Sequence, residues 1–185
     1  MNIETLHDLF TYRLQSAYAV ETELVDVLDE LATAADVDAL DDVADSSVRA
    51  DLLDAFETHR EETETHVERV ETVFEVIERR PETRDVPMLD GLVDETQRFN
   101  NIVLNDALRV PYYLNAAATA EELEIRLYDQ LLELAAALDL PEEATDALEA
   151  NRSDDQEALD RLEALAAADE LTAAFEELAA QSPET

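Results

Sequence analysis

The sequence predicts an all-α fold: a four-helix bundle with a long crossover carrying a short helix, plus a short C-terminal helix. Three observations lead there. Ala, Leu and Glu dominate a chain of 185 residues with one glycine and five prolines, a composition that favours helix nearly throughout. Apolar residues recur at three- and four-residue spacing along extended stretches, the pattern of an amphipathic helix. The breaks between those stretches are few and fall at prolines and polar clusters.

The first long helix is predicted from about Ile3 to Ala35. Its stripe is Leu6, Phe10, Leu14, Ala17, Glu21, Leu24, Leu28 and Leu31, with Glu21 as the single acid in register. The acidic stretch Asp36–Ser47 follows, read as loop plus a short helical turn, and Ser46-Ser47 suits a helix cap. A second helix is predicted from about Ser47 to Arg79, ended by Arg79-Arg80-Pro81. Its apolar residues are Leu52, Phe56, Val70, Val73 and Ile77. For two turns in the middle that stripe turns polar: His59, Thr63 and His66, with Glu62 beside the seam.

Residues 80–88 hold two prolines and form the start of the crossover. A short helix from about Met88 to Asn101 presents Leu89, Leu92, Val93 and Phe99. The third long helix begins near Pro111, which suits a first helical turn, and ends before Pro141. It carries two adjacent stripes. One is Leu114, Ala117, Glu121, Glu124, Tyr128, Leu131, Ala135 and Leu138; the other is Ala120, Leu123, Leu127 and Leu134. The fourth helix, about Glu142 to Ala167, has Leu148, Asp155 and Leu162 in register, with Asn151, Arg152 and Leu159 between. A final short helix near Glu170–Ala180 presents Leu171, Phe175 and Leu178, and the residues from Pro183 onward are expected to fray. The length fits one domain, with residues 1–168 as the bundle and 169–185 as the short helix and tail.

Charge narrows the function. Acids outnumber bases 48 to 12, the net charge is -36, and all twelve bases are arginine. Such a surface repels nucleic acid and anionic membranes. It suits a folded protein adapted to very high salt, since at about 1 M the Debye length is only about 3 Å. Without cysteine there is no disulfide, thiolate metal site or cysteine nucleophile. The N-terminus lacks the basic and apolar regions of a secretory signal. No apolar run approaches a membrane span, so a soluble cytoplasmic protein is expected. One glycine rules out a Gly-rich phosphate loop, and no strand–turn–helix context offers a serine nucleophile.

The polar residues on the stripes need a reason. Burying an unpaired carboxylate costs several kcal/mol, against about 5–15 kcal/mol for a whole domain. A bound metal is the simplest compensation. Glu21, then His59, Glu62 and His66, then Glu121 and Glu124, then Asp155 come from four helices at mid-length. Residues three or four apart share a face, so each group can converge on the axis. This is the layout of di-iron carboxylate bundles, and oxygen ligands with imidazole suit Fe or Mn. The plainer reading is that, with 48 acids, some fall on a stripe by chance, and that His59 and His66 are ordinary half-buried histidines bonded to acids. His7, near the chain start, is not expected to ligate. Tyr18 and Tyr128 lie one turn from Glu21 and Glu124; they can hydrogen-bond ligands, although core packing is the plainer role.

Several segments carry a resemblance. M-N-I-E-T-L-H-D-L-F followed by Y-A-V-E-T-E-L, then A-F-E-T-H-R-E-E-T-E-T-H-V-E-R-V, M-L-D-G-L-V-D-E and E-E-L-E-I-R-L-Y-D-Q-L resemble, in order, the YciF-type ferritin-like stress proteins. The likeness spans about Met1 to Ala166. It implies a ferritin-like bundle, a homodimer and a dinuclear iron site often labelled ferroxidase. Glu21, Glu62, Glu121 and Glu124 match the family's acidic positions, His59 its helix histidine, and His66 a glutamine-or-histidine position. Two departures stand out. Asp154-Asp155 replaces the family's Glu-Glu pair, about one methylene shorter. The order H-x-x-E reverses the E-x-x-H usual in ferritin-like helices, which leaves open which histidine ligates.

The reading is therefore an oxidoreductase holding two Fe per chain, with Mn the alternative, and acting with O2 or peroxide in stress response. The competing class is a non-catalytic dimeric helical stress or interaction protein with an empty or structural metal site.

Overall fold

The structure, a computed structural model, describes residues 2–37 and 47–181. Six α-helices form among them: α1 Leu6–Val37, α2 Ser47–Val76, α3 Pro87–Ile102, α4 Arg109–Ala137, α5 Glu142–Ala166 and α6 Asp169–Gln181, with a 3₁₀ turn at Asp106–Leu108. The helix α1 starts at a reciprocal cap. Thr5 N–H donates to Asp8 Oδ2 (3.0 Å) while Asp8 N–H donates to Thr5 Oγ1 (3.1 Å). Two backbone donors that the first turn leaves open are satisfied in this way. The predicted start at Ile3 is thus moved inward, and Leu6, placed on the apolar stripe by the sequence, lies exposed beyond the packed layers.

Two helix ends share one device. After α2, Arg79 N–H reaches back to Phe74 O and Glu78 N–H to Glu75 O; after α4, Leu140 N–H reaches Ala135 O and Asp139 N–H reaches Ala136 O. These are Schellman closures. Their left-handed residues are Glu78 (φ 54°) and Asp139 (φ 53°), where glycine is usual. This closure ends α2 at Val76, earlier than Arg79, and puts Ile77 in the turn. The acidic connection 38–46, with its expected turn and Ser46 cap, lies outside the described residues, as does the tail from 182.

The bundle is two hairpins. α1 packs along α2 and α4 along α5; the hairpins close through α2–α5 and α1–α4. Its core has two apolar ends. One joins Phe10, Leu14, Val70, Phe74, Leu131 and Leu148; the other joins Leu28, Leu31, Leu52, Phe56, Leu114 and Leu162. The first end uses the start of α1 with the end of α2, and the end of α4 with the start of α5, so each hairpin is antiparallel. The crossover helix α3 lies over the α1–α4 groove through Val86 and Leu89, packed with Val20, Leu24, Ala120 and Leu127. This is the ferritin-like bundle with its long crossover. In α6 only Leu171 of the expected apolar face is buried, and Phe175 is exposed. Leu171 packs into the second apolar end.

Candidate metal centre

Between the two apolar ends lies a polar layer. Glu21, His59, Thr63, His66, Glu121, Glu124, Asn151 and Asp155 are all buried there. Thr63 donates its hydroxyl to His59 O (2.8 Å), and its small side chain separates the two imidazoles, whose ring centroids are 6.4 Å apart.

Donor atoms converge in two groups. Glu21, His66, Glu124 and Asp155 form one, with one ligand atom of each within 4.8 Å of the others; His59, Glu121 and Glu124 form the second on the same criterion. Glu124 belongs to both. The two imidazoles present different nitrogens. His66 turns Nδ1 inward, 3.3 Å from Glu21 Oε2 and 3.4 Å from Asp155 Oδ1. His59 turns Nε2 inward, 3.1 Å from Glu121 Oε1 and 3.9 Å from Glu124 Oε2.

The outward nitrogens meet a matching arrangement. His66 Nε2 lies 3.3 Å from Asp154 Oδ2, and Arg69 donates to the same oxygen at 2.6 Å. His59 Nδ1 lies 3.8 Å from Glu62 Oε2, and Arg161 donates to that oxygen at 2.8 Å. Each imidazole thus stands between inner carboxylates and an outer carboxylate held by an arginine. Such outer partners fix a ligating imidazole's tautomer and orientation.

Of the residues singled out from the sequence, Glu21, His59, His66, Glu121, Glu124 and Asp155 come together. Glu62 does not join either group; it is half-buried at the rim, paired with Arg161. His7 is exposed and remote from both. Of the two tyrosines that could hydrogen-bond a ligand, Tyr128 does so, in a polar brace on the Glu21 side in which sequence reasoning gave Asn151 no part. Tyr128 donates its hydroxyl to Glu21 Oε1. Asn151 Nδ2 donates to Tyr128 (2.8 Å) and to His66 O (3.2 Å), and its Oδ1 accepts from Arg69 (3.1 Å). The signal was Asn151 on the buried register of α5, one turn before Asp155. Tyr18, by contrast, stacks edge-on to Phe74 and donates to Glu71 (2.8 Å), away from the centre.

Do these residues fit a cation? Among the described residues, eight buried side-chain atoms have no hydrogen-bond partner: Glu21 Oε2, His59 Nδ1, His66 Nδ1, Glu121 Oε2, both oxygens of Glu124 and both of Asp155. Every one belongs to the two groups. An unsatisfied buried polar atom costs roughly 1–3 kcal/mol, more when charged. Eight of them together cost roughly 8–24 kcal/mol, as much as the roughly 5–15 kcal/mol that holds a domain or more. The set must therefore bind protons or a cation.

Electrostatics agrees. Burial, opposed by nearby His59, pushes Glu121 up to about 7. Burial raises Glu124 well above the carboxylate range, and Glu21, Asp155 and Glu121 add to it. Asp155 is raised likewise by burial, then by Glu21 and Glu121. For His59, burial alone favours the neutral ring, but Glu121, Glu62 and Glu21 outweigh it and raise its pKa. Glu62 is the exception, held low by His59 first and by Arg161. The buried Glu/His/Asp groups can hold a metal ion, and in its absence they hold protons.

Among the described residues no helix is long and apolar enough to cross a membrane.

Known proteins share this architecture. The chain is 28% identical to Protein YciF of Escherichia coli (strain K12) over 139 residues, 75% of this chain and 76% of that one. The crystal structure of the E. coli stress protein YciF matches with a TM-score of 0.75 and 25% identity, covering 89% of this chain and 96% of the other. YcfI of Rhodopseudomonas palustris shares the fold, with a TM-score of 0.76 at 21% identity over 88% of this chain and 95% of that one. Residues 5–177 match the family described as a domain of unknown function, DUF892. By that match over nearly its whole length, with the YciF likeness in sequence and fold, the chain belongs to the DUF892 family of YciF-like helical bundles.

Proposed function

We propose that this chain is a di-metal carboxylate protein that oxidises Fe(II) with O2 or peroxide. One observation carries the reading: Glu124 is shared by two buried donor groups, and its two oxygens, with Glu21 Oε2, His66 Nδ1, Glu121 Oε2 and both oxygens of Asp155, are buried without a hydrogen-bond partner. A shared carboxylate between two imidazole–carboxylate sets is the arrangement that suits a metal pair. Position one would be held by Glu21, His66, Glu124 and Asp155. Position two would be held by His59, Glu121 and Glu124, with Glu62 at its rim. The mixture of hard oxygens and imidazole favours Fe, with Mn next. Two Fe(II) ions bound there would supply two electrons to the oxidant.

The protein's own contribution is positional. Arg69 and Arg161 hold Asp154 and Glu62, which orient the imidazoles. Tyr128 and Asn151 hold Glu21 against His66. The apolar ends keep bulk water away. Glu121, pushed up to about 7, can release its proton to solvent as a cation enters.

The test is elemental analysis of protein purified without chelator, followed by stopped-flow oxidation of added Fe(II). Up to two Fe or Mn per chain and catalytic turnover are expected. Stoichiometric metal without turnover would instead favour the reading of a non-catalytic stress protein with a structural site. A homodimer and adaptation to high salt belong to the same proposal, the latter resting on the net charge of -36.

A further inference from the structure

A small cavity of about 30 Å³ lies between α1, α3 and α4, ending on His59 and Glu121. Its walls are Leu24 and Leu28 of α1, Leu89 and Val93 of α3, and Ala116 and Ala117 of α4. Besides the two metal-facing residues, the single polar side chain on it is Thr96. That hydroxyl is already donated to Leu92 O at 3.0 Å, so it offers no donor to a guest. A polar guest would find hydrogen-bond partners at the His59–Glu121 end and, away from it, a single acceptor in the Thr96 hydroxyl oxygen. Apolar cavities of this kind stay dry and take up apolar guests such as xenon, and this one exceeds the roughly 10–15 Å³ that one water needs. Its small size excludes most organic substrates.

The opposite side of the centre is unlike it. Around Glu21 and His66, the Tyr128–Asn151–Arg69–Asp154 brace fills the space with polar contacts. The His59–Glu121 position opens on this apolar cavity, and the crossover helix supplies its outer wall.

We propose that this cavity is a binding site for dioxygen, which reaches the metal centre from the His59–Glu121 side. The inference rests on the oxidase reading above and narrows it: the cavity suits O2, a small apolar gas, over the hydrogen-bonding peroxide.

Xenon is the probe. Added to metal-free protein, it should give saturable NMR shifts of the Leu24, Leu28, Val93 and Ala117 methyls, and none at Leu131 or Leu148 in the far core. Ala116→Leu fills the cavity from α4, and Leu92→Phe crowds it from the half-exposed crossover face; each should abolish the shifts. In Fe(II)-loaded protein, both variants should slow O2-driven oxidation by about tenfold, with Fe(II) stoichiometry and the peroxide-driven rate unchanged. Absence of xenon shifts in the unaltered protein overturns the site. Equal slowing with O2 and peroxide, or no slowing, overturns its role as the dioxygen route. Protein that binds xenon but takes up no iron overturns the oxidase reading and leaves the gas site standing.

Discussion

Asp154 Oδ2 lies 3.3 Å from Nε2 of His66. With Arg69 on the same oxygen, Asp154 is placed to accept a hydrogen bond from Nε2–H, the tautomer that would leave Nδ1 free to ligate a metal beside Glu21 and Asp155. Replacing Asp154 by Ala should therefore lower metal affinity by about 10–100-fold, as loss of an outer partner does. Asp154→Asn, which keeps an acceptor, should lose less. Calorimetric titration with Mn(II) or anaerobic Fe(II) reads the difference, and equal affinities for all three proteins would remove Asp154 from this role.

Glu124 is the residue common to both donor groups. Glu124→Ala should abolish binding at both positions. Asp155→Ala should spare position two, and Glu121→Ala should spare position one. Glu62→Ala should weaken position two alone, since Glu62 meets only the outer nitrogen of His59. Metal per chain, counted by elemental analysis, separates these patterns. Two metals retained in Glu124→Ala would contradict the shared site.

The metal-free protein should lose stability as pH rises. Glu121 titrates near 7 in the fold against an ordinary 4.5, and Glu124 and Asp155 are raised further. A carboxyl with a raised folded pKa binds more protons folded than unfolded. Its stabilising contribution is full below the unfolded pKa and is lost as pH climbs through the folded one. Metal reverses the trend, because binding displaces those protons. Melts at constant molar salt, at about pH 5 and about pH 7.5, should show the metal-free midpoint falling and the metal-induced increment growing with pH. A metal increment that is the same at both pH values would count against displaced protons.

Salt should matter independently of metal. With a net charge of -36, self-repulsion opposes the compact state, and molar salt screens it over about 3 Å. The thermal midpoint should rise markedly between low and molar KCl. A flat dependence would speak against adaptation to high salt.

The sequence by itself determined the four long helices, the crossover and the polar layer at mid-length. These follow from local periodicity: Glu21 after Leu14 and Ala17, or Glu121 and Glu124 on the line from Ala117 to Tyr128, are fixed to one helix face whatever surrounds them. Tertiary structure alone decided the rest. Glu62, beside the seam, and Asp155, in register, are both expected from the sequence as metal ligands. Yet Glu62 sits at the rim within reach of Arg161, 99 residues away, while Asp155 is sealed inside. His66 meets Asp154 of α5 with its outward nitrogen, and Glu62 beside His59 is held by Arg161 of α5, so both outer partners rest on how α2 packs on α5. Tyr128 is bound to Glu21 across 107 positions. Such pairings arise from distances between helices, and a one-dimensional pattern carries the face of a residue but not the neighbour that face will meet.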